Sequence, residues 1–176
     1  MDDDRFAVAD VDLIIVGGGI AGGALATVMA SEGASVLVLE RQVRYRDHVR
    51  GEILWPWGVR LARRLGLEAL LLESGALGVP WLDGYDEGSD GPTRIDVGSV
   101  IDGVDGSLNV SHPAACAALV EAAASAGADV RMGVRDVHVS PGRRPRVGWR
   151  AEGGEAGEMG GALVVGADGR RSSVRS

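Results

Sequence analysis

Apolar residues fall in short unbroken runs along this chain, and the runs set the first expectations. Leu13-Ile14-Ile15-Val16 has no polar break, as in a strand buried on both faces. Ile20 to Ser31 carries no proline and no glycine after Gly23, which suits a helix. Ser35 to Leu39 is a second buried strand, closed by Glu40. Strand, turn, helix and strand together make a βαβ unit. Val59 to Leu65 reads as a helix, with Leu61, Leu65 and the run Ala69-Leu70-Leu71-Leu72 as its apolar face; Gly66 interrupts it and Gly75 ends it. Val79 to Tyr85 and Thr93 to Val97 read as antiparallel strands around a hairpin loop at 86–92, and 102–107 as a turn. Ser111-His112-Pro113 opens a helix that Gly127 stops, with Leu119, Val120 and Ala123 on its inner side. Residues 128–132 form a third parallel strand. The stretches 134–139 and 146–151 alternate polar with apolar about Pro141-Gly142, a two-stranded meander. Residues 153–161 read as loop, Ala162 to Val165 as a last buried strand, and Arg170 to Ser176 as the capped start of a helix.

The turn inside the βαβ unit carries chemistry. Gly17, Gly19 and Gly22 stand at the G-x-G-x-x-G spacing. Gly17 lets the chain turn tightly off the strand, Gly19 lets a pyrophosphate approach the backbone, and Gly22 lets the helix lie close to the sheet. The first helical N–H groups, those of Ile20 and Ala21, then face an anion at the positive end of the helix dipole. Glu40 stands where an acid about 20 residues on is expected. A carboxylate there accepts both ribose hydroxyls of an adenosine and repels a 2′-phosphate. The spacing by itself does not separate FAD from NAD.

With 176 residues and 45% hydrophobic content the chain is long enough for a real core, and it is globular in composition. The net charge of −7 argues against nucleic acid or an anionic membrane as the main partner. All 18 basic residues are arginine. The single cysteine, Cys116, excludes an internal disulfide, fits a reducing, cytoplasmic setting, and reads as a buried structural thiol. Met1-Asp2-Asp3-Asp4 is the reverse of a signal peptide's basic start, and residues 1–10 read as a partly disordered lead-in. The apolar runs are shorter than the roughly 20 residues that span a bilayer. Three of the four tryptophans lie between 55 and 81, and buried packing is the commoner role for that residue. The stretch from Arg41 to Glu52 is dense in arginine and lacks helical period, so it reads as a surface loop beside the phosphate-binding turn. Arg50, followed by a glycine, is balanced between forking onto a phosphate and standing free in solvent; for Arg44 and Arg46 solvent is preferred. His48, His112 and His138 lie far apart, and they define neither a metal site nor a catalytic base.

The run Val164-Val165-Gly166-Ala167-Asp168-Gly169-Arg170-Arg171-Ser172-Ser173-Val174-Arg175, taken with Gly17 to Gly22, Glu40 and Arg50-Gly51-Glu52, resembles the FAD-dependent aromatic hydroxylases. These are the single-component flavoprotein monooxygenases of the p-hydroxybenzoate hydroxylase type. The resemblance implies an α/β fold: a Rossmann-like FAD-binding domain of parallel sheet and β-meander, with inserted antiparallel strands from an incomplete substrate domain. It divides the chain into a first FAD-binding segment at 1–75, an insertion at 76–110 and a second FAD-binding segment at 111–176. It implies FAD on Gly17, Gly19, Ile20, Ala21 and Gly22, with Glu40 at the adenosine ribose and its neighbour Arg41 among the cofactor contacts. Arg50 would reach the pyrophosphate or the flavin side, and His112 holds a place at the start of the later helix that often contacts FAD, where relatives carry glutamine or arginine. Asp168 and Gly169 would serve FAD and NAD(P)H largely through backbone placement, while Asp168 orders its own turn. The family's later Gly-Asp motif lies beyond Ser176, so the chain reads as the N-terminal portion of such an enzyme.

The implied reaction uses NADH or NADPH, O₂ and a flavin C4a-hydroperoxide to hydroxylate an aromatic or similar small molecule, without nucleic acid or membrane. A related flavin reductase or halogenase, or an inactive nucleotide-binding fragment, is the alternative. Nothing in the sequence sets an oligomeric state.

Overall fold

The computed structural model describes residues 11–47, 53–88 and 90–175. Contacts divide the chain into two compact units, one of the residues up to Tyr45 with those from Leu119 on, the other of Arg46–Ala118.

The first unit is built on a six-stranded sheet in the order β8 (Asp129–Arg131), β2 (Val36–Leu39), β1 (Val11–Val16), β11 (Ala156–Gly166), β10 (Arg146–Ala151) and β9 (Val134–Ser140). Its centre is parallel: β1 (Val11–Val16) lies between β2 (Val36–Leu39) and β11 (Ala156–Gly166), and β8 (Asp129–Arg131) extends β2. β1 and β2 are apolar on both sides because both sides are covered. On one face Leu13, Ile15, Val36 and Val38 pack with Ala26 and Ala30 of helix α1 (Ile20–Ser31) and with Ala123 of helix α4 (His112–Ser125). Alanines and glycines let α1 and α4 approach closely: a Cβ on Gly23 would stand 2.9 Å from Leu119 Cβ. The Thr27 hydroxyl donates to the Leu119 carbonyl at 2.7 Å. On the other face Ile14, Val16, Leu37 and Leu39 meet Val134, Val147 and Trp149 of the meander strands β9 (Val134–Ser140) and β10 (Arg146–Ala151).

One strand serves both layers. The first half of β11 pairs antiparallel with β10, up to Gly160 opposite Arg146; the second half pairs parallel with β1, from Gly161 opposite Val11. A Cβ on Gly161 would meet Ile14 Cγ1 at 3.0 Å, so glycine lets the strand come alongside β1 there. This corrects the expected loop at 153–161: its later half is strand, and the meander has three strands. Ala162 to Val165 is strand as expected but not buried, since Leu163 is 56% exposed. The expected helix after Arg170 is a single 3-10 turn, Gly169–Arg171.

The second unit holds a three-stranded sheet, β3 (Ile53–Leu54), β7 (Ser107–Asn109) and β4 (Leu77–Val79), and a separate hairpin of β5 (Trp81–Gly84) and β6 (Thr93–Asp96). The strand expected from 79 to 85 is therefore two strands in two sheets. Pro80 divides them, since it cannot donate to a ladder. Helix α2 (Pro56–Arg64) turns its small side inward: Pro56, Val59 and Ala62 are buried, while Leu61 and Leu65 face solvent. Helix α3 (Glu68–Glu73) likewise buries Leu71 and exposes Leu72. Trp55, Trp57 and Trp81 are exposed, contrary to the packing role expected, and Trp55 and Trp57 stack at 5.4 Å. Cys116 is buried as expected. Among the described residues no helix is long and apolar enough to cross a membrane.

Candidate functional site

The parallel strands β2, β1 and β11 end side by side, and the residues leaving their carboxyl ends make the site. This is the edge where open α/β sheets take ligands. Gly17 leaves β1 at φ +104°, a conformation that costs any other residue strain. Its N–H donates to the Leu39 carbonyl at 2.8 Å, and the Ala167 N–H donates to the Val16 carbonyl at 2.7 Å. The bend after β11 is thereby drawn against the bend after β1: a Cβ on Gly17 would stand 2.5 Å from the Ala167 carbonyl oxygen and 2.8 Å from Asp168 Cα. Gly22 closes the same knot from above. A Cβ there would lie 1.8 Å from the Gly17 carbonyl oxygen and 3.2 Å from Ala167 Cβ.

Gly19 differs. Apart from its two chain neighbours, no described residue comes within 4 Å of the place its Cβ would take. It is the N-cap of α1, with no side-chain cap and no acid in the first helical turn. The N–H groups that open the helix, those of Ile20 and Ala21 among them, are thus without a capping side chain, at the positive end of the dipole and beside open space. A diphosphate fits this cradle.

Glu40, only 6% exposed, ends β2. Its Oε2 accepts the Gly18 N–H at 2.6 Å and its Oε1 the Gln42 N–H at 2.7 Å. Each oxygen keeps acceptor capacity for a sugar hydroxyl. The Tyr45 hydroxyl donates to the Gly18 carbonyl at 2.6 Å. Arg41 is exposed just after β2.

Asp168 holds the second bend. Its Oδ2 accepts the Ser173 N–H at 2.6 Å and the Ser173 hydroxyl at 2.9 Å, while its Oδ1 is buried without a hydrogen-bond partner among the described residues. Burial raises the Asp168 pKa, but hydrogen bonding from Ser172 and Ser173 outweighs it and holds the carboxyl below the ordinary aspartate value. The group therefore stabilises the fold fully above about pH 4, and that contribution fades as pH falls through the lower folded value. In an acid titration of melting temperature, the wild type should lose stability more steeply below about pH 4 than Asp168→Asn. Parallel curves would refute the assignment. Gly169, at φ +78°, carries the chain onward.

The structure thus brings Gly17, Gly19, Ile20, Ala21, Gly22, Glu40 and Asp168 to one edge of the first unit. His112 begins α4 in the second unit, its ring 3.7 Å from Cys116 Sγ. Arg50 and His48 lie outside the described residues. Among the described residues, no group of His, Cys, Asp and Glu is arranged to hold a metal. No sequence signal marks Gly18 or Tyr45: the glycine motif leaves position 18 open, and Tyr45 stands in an arginine-dense stretch without periodicity.

A family model described as FAD binding domain matches residues 10–176. The squalene monooxygenase of Rattus norvegicus is 46% identical over 61 residues, 35% of this chain and 11% of that protein. The solved anhydrotetracycline hydroxylase of Streptomyces rimosus superposes with a TM-score of 0.72 at 28% identity, over 94% of this chain and 33% of its own. A myxobacterial chondrochloren halogenase, described as a variant of FAD-dependent halogenases, gives 0.76 at 28% identity, over 93% and 38%. The chain spans about a tenth of the length of that curated relative and about a third of those solved chains.

Proposed function

We propose that this chain, which belongs to the FAD binding domain family, is the cofactor-holding part of a flavin-dependent monooxygenase. The observation that carries the reading is the open, uncapped N-terminus of α1 beside a buried Glu40, with the Asp168 bend locked against Gly17. Ile20 and Ala21 would donate N–H groups to the diphosphate, and Glu40 would accept the adenosine ribose hydroxyls. Asp168 would keep its bend in place and offer Oδ1 to the cofactor. FAD, when bound, supplies the redox and oxygen-activating chemistry; the protein supplies position. NADH or NADPH is the reductant of this reading, O₂ the oxidant, and an aromatic or similar electron-rich small molecule the substrate. The similarity to squalene monooxygenase and to the anhydrotetracycline hydroxylase supports oxygenation, and the halogenase at the same 28% identity makes halogenation the second reading.

The test is direct. The purified chain, titrated with FAD, should quench the flavin fluorescence with saturable stoichiometry and keep a yellow band after desalting. Gly19→Ala should bind FAD at least about ten-fold more weakly, since a methyl would enter the space the diphosphate needs. Its melting temperature should not move, because the Gly19 backbone (φ −68°, ψ −170°) suits alanine and no described atom is in the way. A wild type that takes up no FAD would overturn the reading.

A further inference from the structure

We propose that Tyr45 is a positioning residue for the diphosphate loop, its hydroxyl locking the peptide between Gly18 and Gly19 in one orientation. The inference rests on the reading of this edge as an FAD cradle.

Both backbone groups of Gly18 are held by side chains: Glu40 accepts its N–H at 2.6 Å and Tyr45 donates to its carbonyl at 2.6 Å. The Gly18 carbonyl and the Gly19 N–H belong to one planar trans peptide, so they point in opposite directions. Fixing the carbonyl on Tyr45 therefore fixes the Gly19 N–H on the side away from Tyr45. Without that bond, a peptide flanked by glycine on both sides rotates at little steric cost. A rotated peptide would put a carbonyl oxygen where the N–H stood, replacing attraction for a phosphate oxygen with repulsion.

The same contact accounts for glycine at position 18, which the G-x-G-x-x-G spacing does not demand. A Cβ there would stand 2.8 Å from the Tyr45 hydroxyl, 3.1 Å from Glu40 Cβ and 3.3 Å from Val120 Cγ2. Position 18 is small so that the tyrosine and the carboxylate can reach its backbone from both sides.

Tyr45→Phe keeps the ring and removes the donor. FAD affinity, read by flavin fluorescence, should fall about ten-fold, the size of one hydrogen bond lost from the loop. Nuclear magnetic resonance of the ¹⁵N-labelled chain should show one sharp Gly19 amide signal in the wild type and a doubled or exchange-broadened one in Tyr45→Phe. Amide signals of the β9–β10 meander should not change. Wild-type affinity in Tyr45→Phe overturns the proposal, and so does an unperturbed Gly19 signal. A variant perturbed throughout the unit overturns it as well, because Tyr45 would then be a general support. Should the wild type itself take up no FAD, the cofactor reading fails, while the Gly19 signal still decides whether Tyr45 sets the peptide.

Discussion

Gly22→Ala should cost the chain its native fold. The added methyl would lie 1.8 Å from the Gly17 carbonyl oxygen and 3.2 Å from Ala167 Cβ. Neither neighbour can yield cheaply. The Gly17 carbonyl is backbone in a left-handed turn whose N–H is tied to β2, and Ala167 is tied to the end of β1. Relief requires α1 to lift off the sheet, and α1 covers the layer formed by Leu13, Ile15, Val36 and Val38. Overpacking a well-filled core commonly costs about 1–3 kcal/mol; a clash with backbone at this distance belongs at or above the top of that range. Thermal melting followed by circular dichroism should show a transition lowered by many degrees or absent. A melting curve matching the wild type would mean that helix and strand are not as close as the structure has them. Set beside Gly19→Ala, the pair separates two duties of one motif: one glycine makes room for the protein, the other for the ligand.

Glu40→Gln should weaken both the fold and the cofactor site although it changes the side chain's shape hardly at all. The carboxylate takes the Gly18 N–H on one oxygen and the Gln42 N–H on the other. A carboxamide presents a single oxygen, so one of those donors would face an NH₂ group instead. A buried donor without its acceptor costs about 1–3 kcal/mol. The ribose loses its charged acceptor as well, an interaction of about 1.5–3 kcal/mol, so FAD affinity should fall roughly ten- to hundred-fold. The urea midpoint of the apo chain and a parallel FAD titration measure the two losses separately. If both match the wild type, Glu40 has neither role.

Much of this was legible in the amino-acid sequence, and the parts that were not have common causes. The βαβ unit and α4 could be read because each is made of continuous apolar or alanine-rich runs with a stop signal in the sequence itself. The first half of β11 could not. Gly157, Glu158 and Gly160 carry no strand preference, and the segment is extended because β10 lies beside it. The inner face of α2 is not legible, because the large apolar side chains of the helix are not the ones it buries. The structure buries Val59 and Ala62, whose smallness brings the helix in, and leaves Trp57 and Leu61 outside. In the site, the three motif glycines and Glu40 were found from spacing. Gly18 and Tyr45 were not, because their importance lies in one hydrogen bond between segments that spacing rules do not connect.

The strand that changes partners at Gly160 and Gly161 ties the helix-covered layer to the meander through a single length of backbone. Separating the meander from the helix-covered layer would break that strand's ladder with β10 or with β1, so each layer supports the other. The Asp168 bend is the carboxyl end of that same strand, and its placement draws on both layers.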